Sequence, residues 1–428
     1  MRRNLESTRS YPSFAASALL VSTLITGCVS ARMSDREADR LFRESKYSEA
    51  ADYLKSRIKA GGPGAPGSND ELLYLLDAGL SLHQADRWEE SNAYFALAEK
   101  HVGLNNYTSV SEQAGTLLTG ENTKAYRGED FEKVLIHVYK ALNFAMLGGI
   151  EDSLVEARLV NRRLEQLKRE GEKPYKQNAF ARYLSAILYE AEGEFNDAYV
   201  DYRKTHELEP SFRPVGVDLW RMAAALGLDD HMERWDQQFQ LSQEEKDRRI
   251  NRVLSRRSGM GEIIVIYQNG ISPLKWPDPQ FPQLPRFVAR SNPVREAEVD
   301  LNGSLFGKTA ILHDIEATAI SNLEEKRMGL AAKRVAGRLV KGLVAQQVGK
   351  SANSQALGAL TELVLVVSDQ ADTRSWNLLP KDLQILRIPV SAGEHLVKVR
   401  PVGGTELAEK TVKVEAGKKV FLSFRFMP

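Results

Sequence analysis

The sequence predicts an α+β chain of two domains. An N-terminal helical repeat array precedes a C-terminal mixed domain with a small antiparallel β-sandwich and an inserted helical segment. Three observations predict this. Apolar residues recur at intervals of three and four from residue 34 to about 245, with no proline between Pro66 and Pro174. A β-branched run, Ile263-Ile264-Val265-Ile266-Tyr267, then opens a region of short strands. Helical spacing returns within that region from about 321 to 367 and gives way again to strands at the C-terminus.

Within 34–245 a helix-turn-helix pattern returns four times. The clearest copy runs from Ala179 to Pro210, with Ala186 and Tyr189 on its first helix, Gly193 and Phe195 at the turn, and Ala198 and Tyr202 on its second. A second copy carries Gly79, Trp88, Ser91 and Phe95; a third carries Ala141, Gly148, Ile150, Ser153 and Ala157; a fourth, nearest the N-terminus, carries Ala38, Leu41, Tyr47, Ala50 and Leu54. Small residues where two helices cross, with an aromatic knob beside them, resemble the tetratricopeptide repeat. The copies are not spaced as a strict tandem, so loops such as Gly61–Ser68 separate them. Stacked hairpins present a concave surface. The repeat pattern places Leu76, Leu80, His83, Val138, Phe180, Tyr183 and Ile187 on it, as a candidate groove for an amphipathic helix or extended peptide of another protein.

Residues 246–260 read as a charged helix or linker, and 261–428 as the mixed domain. The first strand runs into a turn at Asn269-Gly270. Five prolines between Pro273 and Pro285 predict an extended loop, and strand-like alternation resumes from Phe287 to Ile315 around a turn at Asn302-Gly303. Gly303 to Thr309 has the look of a phosphate loop with one residue too few, and it lies between strands, so a hairpin is the better reading. On the inserted helix, Arg334, Arg338 and Lys341 share one face and Val335, Leu339 and Leu343 another. In the tail, Leu383–Val390, His395–Val402, Thr411–Val414 and Val420–Phe426 are strands divided by Gly turns, the spacing of a small antiparallel sandwich.

The N-terminus reads as an export signal. Arg2, Arg3 and Arg9 precede an apolar, small-residue run from Phe14 to Thr26, too short to span a bilayer as a permanent helix. It ends in Ile25, Thr26, Gly27 and Cys28, which resemble the lipobox of bacterial lipoproteins, and Cys28 is the sole cysteine of the chain. That resemblance implies a signal peptide over 1–27, a diacylglycerol thioether on Cys28, a short tether over 28–33, and attachment to a lipid bilayer through the acylated residue. Val29 stands where Asp would retain a lipoprotein in the inner membrane. The expected location is therefore the outer membrane, facing the periplasm.

Composition narrows the remaining chemistry. The chain has 58 basic and 57 acidic residues, a balance that offers no field for nucleic acid. With Cys28 acylated there is no thiol for a disulfide, a metal or a nucleophile. The seven histidines show no short-range metal spacing, and no nucleophile elbow is present. No catalytic residue, cofactor or metal is expected.

Two stretches are distinctive: Tyr126-Arg127-Gly128-Glu129-Asp130-Phe131-Glu132-Lys133-Val134-Leu135, and Ala371-Asp372-Thr373-Arg374-Ser375-Trp376 before Leu379-Pro380. They resemble a family of uncharacterised Gram-negative lipoproteins that join N-terminal repeats to a C-terminal mixed domain. The resemblance implies an envelope role without an assigned activity. The first stretch reads either as the start of a helix or as a binding lip. The expected function is a lipid-anchored envelope scaffold that binds another envelope protein and supports cell-wall or outer-membrane assembly. The alternatives are an enzyme or enzyme subunit acting on peptidoglycan or surface polysaccharide, and a structural part of a secretion or motility complex.

Overall fold

The computed structural model describes residues 35–104, 124–171, 178–247, 259–327 and 371–427. The lipobox, including Cys28, and the basic face at Arg334, Arg338 and Lys341 lie outside them. Antiparallel helices pair along the first half of the chain. The pairs are α1 (Arg36–Arg43) with α2 (Tyr47–Lys59), α3 (Glu71–Gln84) with α4 (Trp88–Leu104), α5 (Asp130–Met146) with α6 (Ile150–Gly171), α7 (Ala179–Glu192) with α8 (Phe195–Leu208), and α9 (Pro214–Ala225) with α10 (Asp229–Phe239).

The same local device turns the chain in every pair. Ser45, Asp86, Gly148, Gly193 and Gly227 each have positive φ, and each lies two residues before the second helix of its hairpin. A left-handed residue there ends the first helix and reverses the chain. Small residues then let the two helices close. A Cβ on Gly79 would sit 2.7 Å from the Phe95 ring. The Ser91 hydroxyl donates to the Gly79 carbonyl at 2.7 Å, and Ser153 repeats this bond to Ala141 at 2.7 Å in the next hairpin. The fifth hairpin was not anticipated from the sequence. Counted from its turn at Gly227, Trp220 seven residues before and Met232 five after occupy positions where the other four copies have Gly, Ala or Ser. Ser45 is one of two non-Gly residues at the turn position, so Ser45→Gly is expected to raise stability by about 0.5 kcal/mol, relief of left-handed strain outweighing added chain entropy. A higher urea midpoint at unchanged slope is the check.

The second half forms two four-stranded sheets and a ribbon. The inner sheet has the order β10 (Lys419–Phe426), β1 (Met260–Asn269), β7 (Asp382–Ser391), β6 (Ala310–Asp314). The outer sheet has the order β5 (Ser304–Lys308), β4 (Ala297–Leu301), β8 (Gly393–Pro401), β9 (Ala408–Val414). The sandwich is therefore larger than four C-terminal strands, and those four divide between its two sheets. Its pairing is also not wholly antiparallel, because β10 lies parallel to β1, Ile264 opposite Phe421. The Asn302-Gly303 turn closes the expected β4–β5 hairpin, with both residues at positive φ. The proline-rich loop is partly a ribbon: β2 (Leu274–Pro277) pairs antiparallel with β3 (Pro285–Val288). Pro277 and Pro285 face each other at its last register position, where the missing N–H groups end the ladder.

Three layers result. Ile263, Val265, Ile388, Val390, Leu422 and Phe424 face the outer sheet and meet Val299, Val397 and Val399 there. Ile264, Ile266, Leu383, Ile385 and Phe421 point the other way and join one continuous core with the helices. Burial on both faces explains why β1 reads as an unbroken apolar run rather than an alternating one.

Candidate functional site: the helix–sheet seam and an open cleft beside it

All seven residues of the expected groove are fully buried: Leu76, Leu80, His83, Val138, Phe180, Tyr183 and Ile187 each show 0% exposure. The face of the array that carries them packs against the protein's own inner sheet. The reading of these residues as an open partner groove is thereby corrected. A concave apolar face needs a cover, and here the cover is β1, β7 and β10 rather than another chain. Three polar clusters cross this seam.

At the β1 start, Arg387 of β7 reaches into the helices. Its Nε and Nη2 donate to both oxygens of Glu262 at 2.8 and 2.6 Å, and its Nη1 donates to the Tyr202 hydroxyl at 2.7 Å and to Asp218 at 3.1 Å. Arg221 of α9 grips Glu190 of α7 with two parallel bonds at 2.7 and 2.6 Å. Lys419 of β10 bridges Glu190 and Glu262, each at 2.7 Å. Tyr183 donates to Asp218. Three cations thus meet three carboxylates. Burial alone raises the Glu190 carboxyl, but the charges of Arg221, Arg387 and Lys419 outweigh it and hold it well below the usual carboxylate range. Burial likewise opposes the charge on Arg387, and Asp218, Glu190 and Glu262 reverse that and raise it.

At the other end of β1, His83 is the hub of a neutral network. Asn143 directs its amide nitrogen to Ser91 and Asn92, leaving its oxygen to accept the His83 Nδ1–H at 2.6 Å. Gln268 places its oxygen on Tyr139 and Gln84, so its amide nitrogen faces His83 Nε2 at 3.1 Å. Nε2 must then accept, and the ring is neutral. Burial outweighs the Asn143 hydrogen bond and the charge of Asp86 and holds its pKa down at about 4.

The third cluster joins the two distinctive sequence stretches. Glu132, buried in the first turn of α5, accepts the Trp376 N–H at 2.7 Å, the Tyr126 hydroxyl at 2.7 Å and the Glu129 N–H at 2.9 Å. Glu129 in turn binds Lys275 at 2.6 Å and Lys326 at 2.9 Å. Arg374 lies over the Tyr126 ring, 5.4 Å from its centre. The Trp376 ring packs between Phe95 and Tyr139, 5.8 Å from each centroid. The Tyr126–Leu135 stretch is therefore a helix start locked to the second stretch, and its key side chains are buried rather than offered as a lip.

Recognition chemistry that stays open lies on the opposite flank of α7. Asn161 and Glu165 of α6, Arg182 and Tyr189 of α7, and Val200 and Lys204 of α8 line a cleft of about 290 Å³. Arg182 is buried beneath it, donating to Glu165 at 2.7 Å and to Asp201 at 3.4 Å. Lining residues of both signs suit a polar ligand segment that itself carries both. Among the described residues there is no group of three or more His, Cys, Asp or Glu placed to hold a metal, and no helix long and apolar enough to cross a membrane. Sequence reasoning missed this cleft because its residues are ordinary surface-type side chains, and only the packing of α6 and α8 on either side of α7 brings them together.

No family model matches the chain, and no curated protein matches it. Among solved structures the chain is similar to MamA, at 13% identity and a TM-score of 0.32 over 50% of this chain and 96% of that one. It is similar to a Podosopora anserina protein of nearly identical TPR-like repeats, at 13% identity and a TM-score of 0.32 over 48% and 90%. It is also similar to the Rap conjugation gene regulator of plasmid pLS20 in complex with the Phr* peptide, at 11% identity and a TM-score of 0.30 over 52% and 57%.

Proposed function

We propose that this protein is a lipid-anchored, non-catalytic scaffold of the cell envelope, held at the outer membrane by acylated Cys28 and binding another envelope protein through the outer side of its repeats. The observation that carries the reading is the sequence Ile25-Thr26-Gly27-Cys28, which follows an export-type apolar run and stands seven residues before the first described residue, Asp35. The seam supports the second half of the reading. Because the inner face of the array is occupied by the protein's own sheet, a partner is received on the outer flank, where the α6–α8 cleft lies. Two acyl chains anchor a protein stably where one does so only marginally.

Cys28→Ser in the full chain is expected to abolish incorporation of labelled palmitate and to move the protein from the membrane to the soluble envelope fraction. Label retained by the variant, or none taken up by the parent, overturns the anchor. A photocrosslinking residue at Val200, 40% exposed on the cleft rim, is expected to capture one envelope protein in living cells. A capture pattern no different from the unirradiated control overturns the scaffold.

A further inference from the structure

The β2–β3 ribbon has two unlike faces. Lys275 and Asp278 turn toward the body and hold it there, Lys275 on Glu129 at 2.6 Å and Asp278 on Arg327 at 2.8 Å. By the alternation of a strand and the register Leu274 opposite Val288 and Trp276 opposite Arg286, these four side chains share the other face. Trp276 is 49% exposed and Val288 38%, and Phe281 at the tip is 55% exposed. This is an outward-facing set of one indole, one phenyl and aliphatics, with the half-buried Arg286 beside them.

Its position is tied to the tether. Asp35, where the described chain begins, accepts the hydroxyl of Tyr74 at 3.2 Å, in the first turn of α3. Asp70, capping that helix, binds Arg374 at 3.2 Å, and the Arg374 carbonyl accepts from Lys275 at 3.4 Å. The starts of α1, α3 and α5 and the root of the ribbon therefore lie along one edge. Six residues lie between Cys28 and Asp35, and the seven Cα–Cα steps that join them reach at most ~25 Å when fully extended. The bilayer that holds Cys28 must lie within that reach of the same edge.

We propose that the Trp276–Phe281 ribbon is a second membrane contact, seated in the headgroup layer of a phospholipid bilayer beside the acylated cysteine. The inference rests on the lipid-anchor reading. Tryptophan favours the membrane–water interface because its ring is apolar and its N–H is wet, and an adjacent guanidinium suits lipid phosphate. A flexible tether alone would leave the body free to tumble. A tether plus a fixed aromatic ribbon sets its orientation, edge down, with the α6–α8 cleft held at a constant height.

The test uses the full acylated chain in vesicles of phosphatidylethanolamine and phosphatidylglycerol containing a nitroxide-labelled phospholipid. With Cys28 in thioether linkage, Phe281→Cys supplies a single free thiol for an environment-sensitive fluorophore. Leu305→Cys, on exposed β5 near the Asn302-Gly303 turn, serves as the control. That turn bonds to Leu396, at the end of the sandwich away from the ribbon. The label at 281 is expected to be blue-shifted and quenched roughly threefold more than the label at 305, since interfacial elements sit ~5–10 Å into the headgroup boundary. Equal, water-like emission at both sites in a chain that floats with the vesicles overturns the ribbon and leaves the anchor standing. A chain that stays in the aqueous phase overturns the anchor and this inference with it.

Discussion

Arg387→Met is expected to lower the unfolding free energy by about 3–5 kcal/mol, the range for breaking a buried ion pair from one side. The side chain is 2% exposed and serves Glu262, Glu190, Asp218 and Tyr202 together. Removing it leaves three buried carboxylates to Arg221 and Lys419. Lysine is a poor replacement, because one ammonium cannot make parallel bonds to Glu262 while reaching Tyr202. Adding Glu262→Met to Arg387→Met restores a two-to-two balance, and the pair is expected to recover a large part of the loss. Urea denaturation of the two single variants and the double variant measures the coupling. A loss under about 1 kcal/mol for Arg387→Met would mean that the seam is carried by its apolar residues alone. Since Ile264, Ile266 and Phe421 share one core with the helices, the parent should also unfold in a single transition. Two resolved steps would contradict that shared core.

The second large effect is a dependence on pH set by His83. Its folded value of about 4 lies below the ordinary 6.5, so the unfolded chain binds a proton that the folded chain refuses. Stability from this residue is complete above pH 6.5 and falls as pH drops toward 4, by about 3 kcal/mol in all. His83→Gln removes the titration. At pH 7 the variant should be less stable by about 1–3 kcal/mol, because Asn143 and Gln268 lose a buried partner. On acidification to pH 4 the gap should close or reverse. Other buried groups titrate in the same window, Asp382 at about 6 with the opposite sign and His313 at about 4 with the same one. They are present in both proteins and cancel in the difference. A gap that stays constant from pH 7 to pH 4 would show that the ring is not held neutral by its surroundings.

Much of the architecture was legible in the residues. Helical periodicity with Ala or Gly at the crossing and a large apolar residue after the turn, aromatic in three copies and Ile150 in the other, located four hairpins, and Gly148 and Gly193 marked two of their turns. The fifth escaped because Trp220 and Met232 stand where the other copies carry small residues, its close approach being Gly216 on Phe239 instead, while it keeps the left-handed turn at Gly227. The strands of the tail were legible from alternation and Gly turns, but their partners were not. Nothing local in Val420–Phe426 says that it lies parallel to a strand 157 residues earlier, Val420 opposite Ile263. The available hint was the unbroken apolar run of β1, which signals burial on both faces. The groove failed for a related reason: a concave apolar face has the same sequence whether it awaits a guest or is covered by its own chain. The buried charges of Arg387 and Glu190 read as surface residues because each is paired only across large separations, and Asp218 because its local pair with Arg221 looks like an ordinary exposed i,i+3 ion pair.

The parallel pairing of β10 with β1 has a consequence for biosynthesis. Phe239, the last residue of the stacked hairpins, is translated 180 residues before Lys419 opens the strand that covers them. During that interval the apolar side of the array lacks β10, the last strand of its cover. Late closure of this kind is slow and exposes the chain to aggregation. Such a chain places a demand on chaperones during its synthesis that the finished form no longer reveals.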